Sequence, residues 1–168
     1  MAAMVVAVVA MPVARATEAF IGLGANLGDA SAAVTLAIAQ IAVLTQTRML
    51  SQSSLYKTSP VDADGDDYIN AVVAVSTTLA PLDLLHALQN LEQQAGRQRP
   101  FRNAPRTLDL DLLLYGDLRL DSPELTVPHP RMLQRAFVLL PLAEIAPERV
   151  PPVELERVAQ QRVMRLYV

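Results

Sequence analysis

Two aspartates spaced two apart, Asp109 and Asp111, sit in the run Pro105-Arg106-Thr107-Leu108-Asp109-Leu110-Asp111-Leu112-Leu113-Leu114-Tyr115-Gly116. The run has the length and apolar content of one strand ending at a glycine turn. Alternate side chains of a strand share a face, so Leu108, Leu110, Leu112 and Leu114 are expected in a core. Thr107, Asp109 and Asp111 then face the other way, the two carboxylates about 7 Å apart along the strand. Neighbouring carboxylates repel each other and attract a hard divalent cation with oxygen ligands, Mg²⁺ above all. A D-x-D pair is also what a solvated strand face carries. Just upstream, Arg97, Arg99, Arg102 and Arg106 occur with no acidic residue among them. Guanidinium groups fork onto phosphate oxygens, whereas a scattered arginine cluster is simply a solvated loop. Joined to the carboxylate strand, the arginines point to metal-assisted phosphoryl transfer on a nucleotide.

The elements that would position these residues follow from periodicity. Ala19 to Gly24 reads as a first strand, followed by Ala25-Asn26-Leu27-Gly28-Asp29; the glycines permit a tight turn, and Asp29 or Ser31 can cap a helix over 30–44. That helix carries a Val34, Ile38, Ile41, Leu44 stripe. The spacing G-x-G-x-x-x-G is not the dinucleotide fingerprint, and the single lysine, Lys57, lies outside any P-loop. Arg48 to Thr58 alternates as one strand, followed by an acidic loop over 62–67 that lacks the EF-hand pattern and reads as solvated. Asp67 to Leu79 reads as a third strand, with Ile69, Ala71, Val73 and Val75 on one face and Tyr68, Asn70 and Val72 on the other. Pro81 opens a helix with Leu84, Leu85, Leu88 and Leu91 inward, ending at Gly96. His86 in that helix is expected to be structural. A Gly116-Asp117 turn should lead to an edge strand over 118–120, and a helix from Val153, with Leu155, Val158, Val163 and Leu166, should pack back on the domain.

This order is an α+β, ferredoxin-like βαββαβ sandwich: an antiparallel sheet, helices on one face, and a C-terminal extension. Its open face would gather Asp109, Asp111, Tyr68 and Asn70. Asn70 could read an amide-like heterocycle edge, and Tyr68 could border it. His129, between two prolines, cannot belong to a regular helix interior; structural and functional roles both stay open for it.

Composition bounds the remaining classes. With 168 residues, 52% apolar and 18% charged, the chain is long and apolar enough for one globular domain. A net charge of -3 argues against bulk nucleic-acid binding, and the absence of cysteine excludes thiolate chemistry and suits a reducing cytoplasm. Residues 1–17 read as an N-terminal extension, disordered or mis-started, before a single domain over 18–168. Met1 to Met11 is apolar but too short to span a bilayer and lacks a basic start. A non-catalytic module binding single-stranded RNA on its open sheet face would expose aromatic side chains there; only 4% of this chain is aromatic.

The segment Arg102-x-Ala104-Pro105-Arg106-x-x-Asp109-Leu110-Asp111-Leu112-Leu113 closely resembles the signature of the 6-hydroxymethyl-7,8-dihydropterin pyrophosphokinase family. Gly24-Ala25-Asn26-Leu27-Gly28-Asp29, Val127-Pro128-His129-Pro130-Arg131-Met132 and Arg135-Ala136-Phe137 through Pro147 resemble further motifs of it in the same order. The resemblance covers roughly residues 18–150. It implies transfer of pyrophosphate from ATP to the hydroxymethyl group of the pterin, a step of folate biosynthesis, by a cytoplasmic monomer with no nucleic-acid or membrane partner. By the same resemblance, Asp109 and Asp111 would hold two Mg²⁺ ions, and Arg97 and Arg106 would neutralise charge as AMP departs. ATP would meet Gln89, Glu92, Arg99, Leu112, Thr126, His129 and Arg135. Thr58, Ser59, Val61, Tyr68, Asn70 and Phe137 would hold the pterin. The chain departs from the family pattern at Asn103-Ala104, where an aromatic residue and a glycine are usual, and at Ala25, where serine is usual. An inactive paralogue that only binds nucleotide is a further reading, against which stand the intact aspartates, arginines and histidine.

Overall fold

A computed structural model describes residues 14–59, 65–96 and 108–167. Its centre is β4 (Tyr68–Thr77), a strand rich in β-branched residues that is buried on both faces. β1 (Thr17–Ala25) runs antiparallel along it for nine residues, and β5 (Asp109–Tyr115) pairs antiparallel with the far side of β1. On its other edge β4 pairs with β2 (Thr47–Gln52) and β3 (Tyr56–Thr58). All pairings are antiparallel, and the main path runs β5-β1-β4-β3-β8, where β8 is Val163–Arg165.

One sheet face is covered by α1 (Ala30–Ala42) and α2 (Pro81–Gly96). Val34, Ile38 and Ile41 of α1 and Leu84, Leu88 and Leu91 of α2 pack with Ile21, Leu23, Ile69, Val73, Val75, Leu110 and Leu112 in the larger core cluster. Asp29 caps α1, its carboxylate accepting from the Ala32 N–H at 2.9 Å. The other face is not left open as expected. α3 (Ala136–Ile145) covers its apolar half, where Leu139 and Leu142 pack with Phe20, Val72, Ala74 and Leu113. Those four residues project from the sheet away from the larger cluster and need a second layer.

Several sequence expectations are corrected. The strand expected over 48–58 is two strands, because Ser53 turns in: its N–H donates to the Val72 carbonyl, while its buried hydroxyl accepts from the Val72 N–H. Leu114 does not join Leu110 and Leu112. A bulge opposite Phe20 and Ile21 inserts Leu113 into the pairing, and both Leu113 and Leu114 pack on the second cluster. The edge strand expected over 118–120 is instead β6 (Leu120–Asp121), which pairs with β7 (Thr126–Val127) in a separate ribbon after the Gly116 turn, whose φ is 52°. The C-terminal helix is short: α4 spans Pro152–Arg157, and Val163 lies in β8, where the sheet edge left by β3 supplies hydrogen-bond partners. His86, for which a structural role is expected, is exposed on α2 and stands 3.3 Å from Glu124. Of the acidic loop, residues 62–64 lie outside the described residues. Asp67 is not merely solvated, since hydrogen bonds from Lys57 and Ser59 hold its carboxyl below the ordinary value.

The C-terminal strand is clasped by Glu144 of α3, whose carboxylate accepts from the Ser54 N–H and hydroxyl, from Tyr56 at 2.7 Å and from Arg165 at 3.0 Å. Burial alone would raise the Glu144 pKa; the Tyr56 and Ser54 hydrogen bonds and the Arg165 charge outweigh it and lower it from the ordinary 4.5. Burial and the Glu144 contact push the Tyr56 hydroxyl well above its ordinary value. A depressed carboxyl pKa stabilises the fold above the unfolded value and loses that effect as pH falls through the folded value. Glu144→Gln should therefore destabilise the protein most near neutral pH. The gap to wild type, measured by urea unfolding, should close as the pH is taken below 4.5.

Candidate active site

The site begins with two glycines. Gly22 and Gly24 of β1 pair with Asp111 and Asp109 on one side and with Val72 and Asn70 on the other. Directly paired residues share a sheet face, so Asp109, Gly24 and Asn70 form one row across three strands and Asp111, Gly22 and Val72 the next. The bare glycines leave a floor between carboxylate and amide. A methyl group built on Gly24 would stand 3.1 Å from the Asn70 side-chain oxygen. These two glycines serve the strand floor, and the turn that follows has its positive φ at Gly28, at 58°.

Above this floor lies a cavity of about 800 Å³. Asp109 and Asp111 line it at the β5 end, and Thr58, Ser59, Tyr68 and Asn70 at the β3–β4 end. Arg135 and Phe137 enter from the start of α3, with the Arg135 guanidinium 5.5 Å from the Phe137 ring centre. The buried Asn70 amide donates to Thr58 Oγ1 at 3.2 Å, which orients its carbonyl oxygen. A second cavity, of about 270 Å³, is lined by Leu112, Thr126 and His129 together with Leu85 and Leu125. Asp111 borders both.

His129 is held by its own backbone, the N–H donating to the Leu113 carbonyl at 2.8 Å. Its Nδ1 accepts from the Arg131 N–H at 3.2 Å, which puts the proton of the neutral ring on Nε2. Burial lowers the His129 pKa from 6.5; the Asp111 charge opposes this, and Arg135 and Arg131 add to it. The shift favours the neutral ring, whose Nε2–H is then a hydrogen-bond donor.

Two further residues expected at the nucleotide, Gln89 and Glu92, line neither cavity as the described residues form it. Gln89 is exposed on α2. Glu92 reaches β5, where its Oε1 accepts from the Leu110 N–H at 2.7 Å, between the two aspartates. Arg97, Arg99, Arg106 and Val61 lie outside the described residues. The sequence reading missed the wall formed by Gln160, Gln161, Arg162 and Val163. Helical periodicity over 153–166 masked the turn there, and no motif marks it.

With Asp109 and Asp111 facing the large cavity, the donor set is two hard carboxylates. Among the described residues no cluster of three or more acidic or histidine side chains forms a metal cage. Two carboxylates suit Mg²⁺, which keeps water ligands and shares phosphate oxygens instead of taking an all-protein shell.

Comparison with known proteins decides the lineage. Residues 20–147 match the family model described as 7,8-dihydro-6-hydroxymethylpterin-pyrophosphokinase. The chain belongs to this family. The 2-amino-4-hydroxy-6-hydroxymethyldihydropteridine pyrophosphokinase of Pseudomonas aeruginosa is 47% identical over 134 residues, covering 79% of this chain and 83% of the relative. The enzyme of the same name from Bacillus subtilis is 44% identical over 131 residues, covering 76% and 77%. Among solved structures, Plasmodium falciparum HPPK-DHPS with pterin and p-hydroxybenzoate superposes with a TM-score of 0.70 at 15% identity. That match covers 94% of this chain and 48% of the Plasmodium chain, and it speaks for the fold alone. Within the pyrophosphokinase family, then, this chain has its two cavities meeting at one carboxylate.

The coupling between Asp111 and His129 can be read directly. In metal-free protein the His129 ring should titrate below 6.5. Asp111→Asn should lower that midpoint further, since it removes the charge that favours the imidazolium, and Arg135→Ala should raise it. Proton NMR of the two histidines follows each change.

Proposed function

We propose that the large cavity takes the pterin, the small one the nucleotide, and that the reacting phosphorus lies between them beside Asp111. By family, the protein is an ATP-dependent diphosphotransferase. It transfers pyrophosphate from ATP to the hydroxymethyl group of 6-hydroxymethyl-7,8-dihydropterin in folate biosynthesis, giving AMP and the pterin diphosphate. The observation that carries the spatial reading is the position of Asp111 on the border of both cavities.

The pterin edge meets Asn70 and Thr58, with Ser59 and Val61 beside it, while Tyr68 and Phe137 offer ring faces. Two strand spacings separate Asn70 from Asp109, about 10 Å, enough for a fused bicycle whose hydroxymethyl arm points to the aspartates. The hydroxyl oxygen bonds to the β-phosphorus as the bond to the AMP oxygen breaks, and its proton passes to solvent. Asp109 and Asp111 would hold Mg²⁺, which would supply charge neutralisation for the triphosphate oxygens. His129 donates from Nε2 to a phosphate oxygen, and Arg135 adds a fixed cation. Arg97 and Arg106 offset charge on the departing AMP, with Arg99, Thr126 and Leu112 on the nucleotide. Glu92 acts through the Leu110 N–H, fixing the strand that carries both aspartates, and the exposed Gln89, one helical turn beyond Leu85 of the small cavity, reaches the nucleotide from α2. Positioning and electrostatics supply most of the rate.

We read the β5-β1-β4-β3 order with its crossing helices as ferredoxin-like, residues 18–168 as one domain, and the part after Pro147 as an extension. We also propose a monomer working in the cytoplasm. Among the described residues no helix is long and apolar enough to cross a membrane.

An AMP-release assay with ATP, Mg²⁺ and hydroxymethyldihydropterin tests the reading. AMP should form only with the pterin present, and Asp111→Ala should cut the rate about 100-fold or more. ADP release, or an undiminished variant, would overturn it. A second substitution tests the floor. Gly24→Ala should displace the Asn70 amide, raising KM for the pterin about fivefold, the equivalent of roughly 1 kcal/mol. KM for ATP and Tm should hold.

A further inference from the structure

The first turn of α3 is built without a cap of its own. Arg135 occupies the N-cap position with φ -122° and ψ 108°, and no side chain of its own segment accepts from the helix N-terminus. The Ala136 N–H is one of the donors that a helix start leaves without an intrahelical acceptor. Gln161 supplies the acceptor from 25 residues away: its Oε1 takes the Ala136 N–H at 2.9 Å. The same amide donates from Nε2 to the Gln134 carbonyl at 2.8 Å. One side chain therefore grips the backbone immediately before and immediately after Arg135.

The grip is itself anchored. Val158 is buried in the second core cluster, and the Gln161 N–H donates to its carbonyl at 2.9 Å. Two residues on, Val163 pairs with Thr58 in the sheet. Gln161 is thus held from both sides, and what it holds is the backbone that aims Arg135 and Phe137 into the large cavity.

We propose that Gln161 is a positioning residue for substrate binding, acting through Arg135 and Phe137 by capping α3 from the C-terminal turn. It lies beyond residues 20–147, the stretch matched to the family. The inference rests on the pyrophosphokinase reading for its kinetic consequence, though not for the bracing itself.

The test compares wild type with Gln161→Ala and Gln161→Glu. The alanine variant loses both contacts; the glutamate keeps an acceptor for Ala136 and loses the donor to Gln134. Gln161→Ala should raise KM for the pterin about five- to tenfold while kcat changes less than twofold. Hydrogen exchange at the Ala136 amide should accelerate about tenfold, with amides of β4 unchanged. Gln161→Glu should recover Ala136 protection and most of the KM. The proposal fails if Ala136 exchange is unaltered in Gln161→Ala. It also fails if KM is unaltered, or if both variants lose activity only in proportion to Tm. Absence of AMP formation by the wild type would overturn the pyrophosphokinase reading instead; the exchange comparison would still decide the bracing.

Discussion

The pairing of β1 between β4 and β5 is the constraint on which the rest depends. Its larger-cluster face is continuously apolar, with Ile21, Leu23 and Ala25 buried. Its other face changes character along the strand, from Phe20 to Gly22 and Gly24. Phe20 demands cover and receives α3; the glycines present no side chain, and the space above them stays clear for the cavity. A shift of one residue in the β1 register would exchange the faces and bury what lines the cavity. The same nine-residue ladder thus positions core and site together.

Electrostatics at the site follows from that placement. Two carboxylates come together on β5 because they are two residues apart on a strand anchored by Leu110 and Leu112. Arg135 lines the same cavity, and His129 meets Asp111 at the second one. Burial favours the neutral histidine despite the aspartate, and the neutral ring can donate a hydrogen bond without adding a second full charge beside Arg135. Such an arrangement suits a phosphate chain reaching from one cavity to the other, the role we assign to it.

The chain closes on itself at the opposite sheet edge. β8 covers β3, and Glu144 ties Ser54, Tyr56 and Arg165 into one cluster at the sheet edge. The consequence reaches the cavity twice, through Thr58 on β3 and through the Gln160–Val163 turn. The C-terminal segment is therefore part of the site wall as well as a cover for an otherwise open strand edge.

Much of this was legible in the residue order because local rules act strongly there. Two-residue alternation in β4 and at Asp109 and Asp111 sorted the side chains that join the larger core from those on the cavity face, since side chains on one face of a sheet share one environment. The leucines of α2 and the Asp29 cap were equally plain, and the motifs around Asp109, His129 and Arg135 carried the family. What periodicity could not reveal were effects set by neighbours distant in sequence. Leu113 and Leu114 turned to the second cluster because of a bulge against β1. The rotation of α2 was set by packing Leu84, Leu88 and Leu91 against the sheet. Val163 left its helical pattern because β3 offered an unpaired edge. Gln161 acquired its partners only when the C-terminal turn met the start of α3. The sequence by itself determined which side chains alternate and which chemistry they bring; the tertiary structure alone decided which of them share a cavity, because long-range hydrogen bonds and packing, absent from any local pattern, choose the partners.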